Sequence, residues 1–228
     1  MGLYDRSLTY SHQVETAFRD GGAGHVICCI GKKIFWPFCH GGYLAFFERD
    51  LANYSGACAK ISSIRLTLLT QPDAALLAFS RPHDSRVVKR AMERFDKGDQ
   101  CFVAFSSNNE VAHSRWVSTN DTYVPELQMN TRPRAKQAYM YDGYSKPDYR
   151  GRGIDGAVRN FIFETLKSQG IENVYSYVRS DNPVGIRAAR RWQTQLGRVW
   201  YLHFSDAEPL VFSLRRMKLP ALLRAQPF

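Results

Sequence analysis

A strand that turns into a helix through a glycine-rich loop constrains this chain more than any other segment. Residues 137–144 are expected to form the strand, and the loop that follows is Arg150-Gly-Arg-Gly153. One apolar stripe then marks a helix that Gly170 ends. The backbone N–H groups of residues 151–155 can therefore point at one spot, at the positive end of a helix. Such a geometry binds a phosphate or a pyrophosphate.

The loop differs from the two common nucleotide-binding patterns. It lacks the Gly-Lys-Ser/Thr ending of the P-loop, and it is not the dinucleotide Gly-x-Gly-x-x-Gly. Arg150 and Arg152 add positive charge beside the glycines. Glycine spacing alone leaves a purely structural turn open as the alternative.

Apolar periodicity predicts a mixed α/β (α+β) fold from Ile61 onward. The expected order is strand, helix, helix, strand, strand, strand, helix, strand, helix, strand, strand. The fourth helix is expected to begin at Asn182-Pro183 and to run to about Leu196, and residues 121–134 are expected to be a loop, with at most a short strand. Residues 1–60 lack this periodicity. The sequence therefore predicts an N-terminal extension over 1–60 and a domain over 61–228.

The block from Pro147 to Ile154 resembles the coenzyme A loop of the GNAT acyltransferases, whose core pattern is Arg/Gln-x-x-Gly-x-Gly/Ala. Arg150 and Gly153 match this pattern, whereas Asp155 stands where Gly or Ala is usual. The run from Arg179 to Pro183 resembles the family's second signature, and the element order resembles the GNAT order. Residues 138–144 are similar to a bacterial branch that is often associated with surface polysaccharide gene sets.

The resemblance implies acetyl-CoA as co-substrate and no metal. In the family, the strand before the loop pairs with the pantetheine arm, and a backbone N–H there stabilises the oxyanion. Asp155 is expected either near the pyrophosphate or turned outward into the first helical turn. The residues implied in cofactor binding are Gly143, Tyr144, Ser145, Arg150, Gly151, Arg152, Gly153, Ile154, Asp155 and Asn182.

Transfer to an amine also needs groups that move protons, because an alkyl amine with a pKa near 10 is charged at neutral pH. The usual family Glu falls at Tyr139, so Asp142, Glu126 and His113 are the candidate bases. Alternation along the strand puts Asp142 on the face opposite Tyr139.

The family's usual acid, a Tyr, falls at Gln193, so the thiolate needs another proton source. Tyr175, Tyr177 and Tyr201 are the candidates, with solvent as an alternative. A packing role between strands is the other interpretation of each tyrosine.

Charge and cysteine content narrow the class of protein. The chain has 228 residues, 31 basic against 21 acidic, for a net charge of +10, which suits an anionic partner. Five cysteines without a C-x-x-C pair, and no secretory signal, indicate a reducing cytoplasm and no zinc site. The aromatic segment 25–47 is too interrupted to span a bilayer, although it could touch a membrane surface or pack as an extension.

Two hypotheses follow. The first is an acyl-CoA dependent N-acyltransferase that moves acetyl to a primary amine, for example an amino sugar, by direct transfer in a ternary complex. The second is a catalytically weak GNAT-like domain that binds an anionic partner, a nucleic acid or a membrane surface. The absent Glu and Tyr, and Asp155 in the loop, favour the second. A small-molecule amine is the expected partner, nucleic acid is not expected, and the oligomeric state is not predicted.

Overall fold

The computed structural model describes residues 39–56, 61, 63–79, 87–204 and 209–212. The strands are β1 (Cys39–Asp50), β2 (Ile64–Leu69), β3 (Gln100–Ser106), β4 (Val111–Ser118), β5 (Thr122–Val124), β6 (Met129–Thr131), β7 (Gln137–Ser145), β8 (Asn173–Arg179), β9 (Thr194–Phe204) and β10 (Leu210–Phe212). The helices are α1 (Ala74–Ala78), α2 (Val87–Asp96), α3 (Ile154–Ser168) and α4 (Pro183–Trp192), with a 3₁₀ turn over Pro147–Tyr149.

Eight strands form one mixed sheet in the order β10-β9-β1-β8-β7-β4-β3-β2. Neighbouring strands are antiparallel, except that β7 and β8 run parallel. A parallel pair requires a crossover, and α3 supplies it. Strands β5 and β6 pair with each other in a separate hairpin. The mixed α/β class predicted from the sequence is confirmed.

The two faces of the sheet carry different elements. Helix α3 packs on one face against residues such as Phe102, Met140 and Val174, and α4 packs on the same face nearer β1 and β8. Helices α1 and α2 cover the opposite face over β3 and β4. The β5–β6 hairpin lies on this opposite face beside them and packs on Phe46 and Tyr177. Residues on the hairpin can therefore meet residues of β7 and β8 on the face that carries α1 and α2.

Strand β1 comes from the segment that the sequence assigned to the extension. It lies inside the sheet, between β8 and β9, and the Leu44 and Phe46 side chains are fully buried there. Of the aromatic segment 25–47, residues 39–47 belong to this strand, and 25–38 lie outside the described residues. The domain boundary at residue 60 stays a prediction.

Several predicted elements have different ends in the structure. The fourth helix does not reach Leu196: it ends at Trp192, and β9 begins at Thr194, opposite Glu48 of β1. Pairing with β1 thus overrides the local helical pattern, and Leu196 lies at a bulge in β9. Within residues 121–134, where the sequence predicts a loop with a short strand, two short strands pair as the β5–β6 hairpin. Asp84 and Ser85 are residue types that cap a helix, and they precede α2 but lie outside the described residues, as do residues 213–228.

No helix in the described part of the chain combines the length and apolar character that a membrane span requires.

Candidate active site

Strands β7 and β8 diverge near the middle of the sheet. They are paired only from Gln137↔Asn173 to Tyr139↔Tyr175, and both strands continue beyond the last pair. A wedge-shaped cleft therefore opens between them. Backbone N–H and C=O groups of β7 that point toward β8 beyond residue 139 lie along this cleft, where they can pair with an extended ligand.

A bulge interrupts β7 inside the cleft. Trp116 of β4 pairs with Tyr141 and Ser114 pairs with Tyr144, so β7 has one residue more than β4 between these points. Asp142 occupies the bulge with φ 43°, in the left-handed region that few non-glycine residues adopt. The bulge cancels the simple alternation of the strand. Tyr141 and Tyr144 consequently point to the same face, the one that carries α1 and α2.

Asp142 also faces α2, so the expectation that it lies opposite Tyr139 is wrong. Its Oδ2 accepts a hydrogen bond of 2.8 Å from Arg94 Nη1 of α2. The Arg94 guanidinium lies 5.0 Å from the Tyr141 ring, and Tyr141 stacks on Tyr139 at 5.3 Å. The three β7 side chains thus share one face. The ion pair with Arg94 joins the bulge to α2.

The loop at the top of the cleft has the backbone that the glycines allow. Gly151 and Gly153 have φ of 74° and 75°, and a Cβ at either position would meet no atom within 4 Å. Glycine is therefore needed for the backbone conformation, and the space in front of both residues is open. Gly153 is the N-cap of α3, and Ile154 is buried as its first residue. The first N–H groups of α3 have no partner within the helix.

The loop arginines lie against aromatic rings. The Arg150 guanidinium is 6.0 Å from the Tyr144 ring, and its Nε donates to the Ser145 carbonyl oxygen at 3.3 Å. The Arg152 guanidinium is 5.4 Å from the Tyr149 ring. Both arginines thus add positive charge to the loop that precedes α3, and this charge favours a bound anion.

Asp155 occupies neither of the two positions expected from the sequence. It turns under α3, where its Oδ1 accepts from Arg115 Nη2 of β4 at 2.5 Å and its Oδ2 accepts from Arg159 Nε at 2.8 Å. Burial alone would raise the pKa of Asp155, but the charges of Arg115 and Arg159 hold it well below its usual range. The carboxylate therefore stays ionised and ties the first turn of α3 to the sheet.

Gly143 makes room for this buried ion pair. A Cβ on Gly143 would overlap the Arg115 guanidinium. Burial, followed by the charge of Arg159, lowers the pKa of Arg115 to about 10, so the side chain remains charged at neutral pH. Arg159 also donates to Gln193 Oε1 at 3.1 Å, and Ser176 of β8 donates to the same oxygen at 2.8 Å. The network thus reaches from β4 to β8 beneath α3.

Ser145, His113 and Asp155 have the composition of a nucleophilic triad. His113 Nδ1 lies 2.7 Å from Ser145 Oγ, and His113 Nε2 lies 3.7 Å from Asp155 Oδ1. The electrostatics oppose nucleophilic catalysis, because burial and the charge of Arg115 lower the pKa of His113 to about 3. A nucleophilic serine needs a histidine that accepts its proton. The arrangement instead fixes the Ser145 hydroxyl at the edge of the cleft.

Glu126 meets β8 at the base of the cleft. Tyr177 donates its hydroxyl to Glu126 Oε2 at 2.9 Å, and Arg179 Nη1 lies 3.6 Å from Oε1. The Tyr177 ring stacks near Tyr139, with ring centroids 6.1 Å apart. Burial and then the Glu126 charge raise the pKa of Tyr177. A carboxylate from the β5–β6 hairpin thus approaches Tyr139 and Tyr177, where the two strands separate.

The other predicted residues lie farther from this point. Gln137 Nε2 lies 3.5 Å from the Tyr175 hydroxyl, at the paired end of the strands, and burial followed by Glu48 raises the pKa of Tyr175. Asn182 caps α4 by accepting from Gly185 N–H at 2.8 Å, as the sequence predicts. Among the described residues, no group of three His, Cys, Asp or Glu side chains is placed to hold a metal ion.

Sequence reasoning missed Arg115 and Arg159. Arg159 has a weak signal, because it follows Asp155 by four residues and such pairs meet on a helix. Arg115 has no signal in the chain, since its contact with Asp155 depends on how β4 lies under α3. The sequence would suggest that Arg115 is an exposed side chain on a hairpin strand, yet this residue is buried.

Structural comparison finds the same fold in solved proteins. A functionally unknown conserved protein from Staphylococcus epidermidis has a TM-score of 0.51 and 11% identity, over 78% of this chain and 68% of that one. The tandem GNAT protein from the clavulanic acid biosynthesis pathway has a TM-score of 0.50 and 13% identity, over 73% of this chain and 54% of that one. This chain therefore spans little more than half of the tandem protein. In sequence, no protein-family model and no curated protein matches it.

These observations define the class of fold. The mixed sheet, the parallel strands that diverge, and the loop that opens α3 occur together in a chain that superposes on a GNAT protein. The chain has the GNAT acyltransferase fold, and the resemblance seen in the loop sequence is confirmed at the level of the fold.

Proposed function

We propose that this protein is an acyl-CoA dependent N-acyltransferase that transfers acetyl from acetyl-CoA to a primary amine by direct transfer in a ternary complex. The observation that supports this most is the cleft between β7 and β8, which leads to an open, glycine-lined loop at the N-terminus of α3. The cleft fits an extended pantetheine arm, and the loop fits a pyrophosphate.

The residues present suit that substrate. The N–H groups of residues 151–155 would bind the pyrophosphate, with Arg150 and Arg152 adding charge. The β7 backbone at Gly143, Tyr144 and Ser145 would pair with the pantetheine arm, and an N–H of this strand would stabilise the oxyanion. Asn182, which fixes the start of α4 by accepting from Gly185 N–H, remains a proposed cofactor-binding residue.

Direct transfer is favoured over an acyl-enzyme. Ser145 Oγ lies 2.7 Å from His113 Nδ1, and the lowered pKa of His113 makes that histidine a poor base. The amine must then attack the thioester itself. Asp142, Glu126, Tyr175 and Tyr177 remain the candidates for moving its protons.

The proposal also covers the acceptor substrate and the cell compartment in which the reaction takes place. A small amine, for example an amino sugar on an anionic carrier, would suit the net charge of +10. We place the reaction in the cytoplasm, where acetyl-CoA is available. Peripheral contact with a membrane stays part of the proposal for residues 25–38 only, because residues 39–47 lie in a strand inside the sheet.

The competing hypothesis, a weak GNAT-like domain that binds another anion, loses one of its supports. Asp155 appeared to put a negative charge at the loop, but its carboxylate is bound by Arg115 and Arg159. A thermal-shift comparison separates the two functions. Stabilisation by acetyl-CoA, without an equal effect of nonspecific DNA or dephospho-CoA, supports the acyltransferase. Equal stabilisation by DNA supports the alternative.

Gly153→Val tests the loop directly. A β-branched residue at φ 75° is strained, so the loop should leave its anion-binding conformation. Gly170→Val is the matched control, because Gly170 has φ 80° and equally open space at the other end of α3. Titration calorimetry with acetyl-CoA should show a loss of affinity of about tenfold or more, roughly 1.4 kcal/mol, for Gly153→Val only. Undiminished affinity in folded Gly153→Val would remove the loop from the site.

A further inference from the structure

At the base of the cleft, Tyr177 is hydrogen-bonded to the Glu126 carboxylate. Tyr139 is the last β7 residue paired with β8, and its partner there is Tyr175. Tyr177 lies two residues further along β8. The rings of Tyr139 and Tyr177 are nearly parallel, at an interplanar angle of 23°. The Tyr177 hydroxyl donates to Glu126 at 2.9 Å. The pair therefore stands where the two strands separate, on the face that carries α1 and α2.

Glu126 is held away from bulk water. Its side chain is 14% exposed, and the hairpin that carries it is fixed to β9 by His203, whose Nε2 lies 2.9 Å from the Glu126 carbonyl oxygen. The groups that face Glu126 are Tyr177 and Arg179 of β8, Tyr139 of β7, and Tyr201 and His203 of β9. Arg179 is shared, because it also pairs with Asp181 at 2.5 Å. The charge of Arg179 is thus divided between two carboxylates, and the closest donor to Glu126 is the Tyr177 hydroxyl.

The Tyr177 phenol can accept one proton and give up another while it remains neutral. Burial, and then Glu126, raise the pKa of Tyr177, and burial raises the pKa of Tyr139 well above its usual range. Neither tyrosinate forms at neutral pH. The Tyr177 hydrogen points at Glu126, and the Tyr177 side chain is also hydrogen-bonded to Tyr139. A phenol oxygen has two lone pairs, so one of them can still accept from a donor in the cleft.

We infer that Tyr177 and Glu126 form a proton relay that deprotonates the acceptor amine, a role that rests on the proposed acyltransferase function. A charged amine, R–NH₃⁺, would donate to the Tyr177 oxygen. In one step Tyr177 accepts that proton and gives its own to Glu126, so the phenol stays neutral and the carboxylate becomes a carboxylic acid. Tyr177 would touch the substrate, and Glu126 acts through it.

The proton count of the transfer then balances. The neutral amine forms the new C–N bond, and the C–S bond breaks with its electron pair on sulfur. The attacking nitrogen loses one further proton, which neutralises the thiolate. The proton held by Glu126 returns to water. The products are the amide, the free thiol and one released proton.

The competing carboxylate in this region is Asp142. Its Oδ2 is 2.8 Å from Arg94 Nη1, and the Arg94 guanidinium lies between the Trp116 and Tyr141 rings, 5.0 Å from each. The Asp142 carboxylate is therefore already engaged by a well-held arginine. Glu126 has a neutral phenol as its closest donor and Arg179 only at 3.6 Å. The geometry therefore assigns proton transfer to Glu126 and the fixing of the bulge to Asp142.

Two small nucleophiles test the relay without knowledge of the natural acceptor. Methylamine is mostly protonated at pH 7 and needs a base, whereas hydroxylamine is largely uncharged and needs none. Both can diffuse into the cleft without an acceptor-binding surface. Thiol release from acetyl-CoA is followed for the wild type, Glu126→Gln and Tyr177→Phe. The matched controls are Glu172→Gln, at an exposed ion pair, and Tyr123→Phe, an exposed tyrosine on the same hairpin.

Both relay variants should lower the methylamine rate at pH 7 by about 10²-fold or more and change the hydroxylamine rate by less than about threefold. Their methylamine rates should rise by about tenfold per pH unit, because only the amine that is already neutral reacts. The controls should match the wild type.

Equal losses for both nucleophiles would mean that the two residues only support the structure, and an unchanged methylamine rate in Glu126→Gln would overturn the relay. So would a nucleophile-selective loss in Asp142→Asn instead. Calorimetry keeps this test separate from the proposed function. A wild type that does not bind acetyl-CoA contradicts the acyltransferase itself. A wild type that binds it, yet reacts with methylamine no faster than free acetyl-CoA does, contradicts the relay alone.

Discussion

Asp155→Asn should destabilise the protein strongly, because it leaves two arginines under α3 without their counter-charge. The carboxylate accepts from Arg115 at 2.5 Å and from Arg159 at 2.8 Å, and their side chains are 11% and 4% exposed. Removing one partner of a buried ion pair costs about 3–5 kcal/mol. Since the Asp155 side chain itself keeps 30% exposure, we expect the lower end, about 3 kcal/mol. In a chain of this size that corresponds to a melting temperature roughly 6–12 °C lower.

The pH dependence of this loss follows from the lowered pKa of Asp155. A carboxylate with a depressed folded-state pKa contributes stability above its unfolded pKa of about 3.9, and this stability disappears as the pH falls toward the folded-state pKa. The difference between the wild type and Asp155→Asn should therefore be constant from about pH 5 to pH 8. It should begin to shrink below about pH 4.

Urea unfolding followed by circular dichroism measures the difference at each pH. Asp121→Asn is the matched control, because Asp121 pairs with Arg132 at 2.8 Å but their side chains are 44% and 58% exposed. Exposed pairs contribute about 0–1 kcal/mol, so the control should change little. A loss below about 1 kcal/mol for Asp155→Asn, or a difference that stays the same below pH 4, would refute the view that this carboxylate neutralises a buried pair of arginines.

Two further substitutions examine the strand that borders the cleft. Gly143→Ala should lower the free energy of unfolding by about 1–3 kcal/mol, because its Cβ would overlap the Arg115 guanidinium. This loss should disappear in an Arg115→Ala background, which a double-mutant cycle of urea unfolding measures. Asp142→Asn should cost about 1.5–3 kcal/mol through loss of the 2.8 Å bond to Arg94, with unchanged acetyl-CoA affinity. A normal melting temperature with selectively lower turnover would instead make Asp142 the base.

Local signals predicted the elements around the loop well. The helix after the glycines appears from Ile154 to Ser168, because its apolar residues form one stripe and Gly170 supplies the left-handed residue after it. Such features depend on residues within one or two turns of each other, so the sequence displays them directly.

The sequence did not predict which distant strands pair with each other. Strand β1 lies between β8 and β9, more than 120 residues away in the chain, and nothing in its glycine- and aromatic-rich composition gives its register. The same pairing shortened the predicted fourth helix, since Thr194 and Gln195 join β1 instead of continuing α4. Long-range hydrogen bonding and burial outweigh a weak helical preference at the end of a helix.

In the candidate site, too, local features follow from the sequence and contacts between distant residues follow from the fold. The sequence by itself determined the strand–loop–helix unit and the glycines at 151 and 153, because their positive φ angles are local backbone requirements. Only the tertiary structure decided where the carboxylates point. The bulge at Asp142 turned that residue toward Arg94, the packing of β4 under α3 drew Asp155 inward, and the β5–β6 hairpin brought Glu126 to Tyr177 across 51 residues. A charged side chain takes its partner from whatever the fold places beside it, and that neighbour is set by sheet order and helix packing rather than by position in the chain.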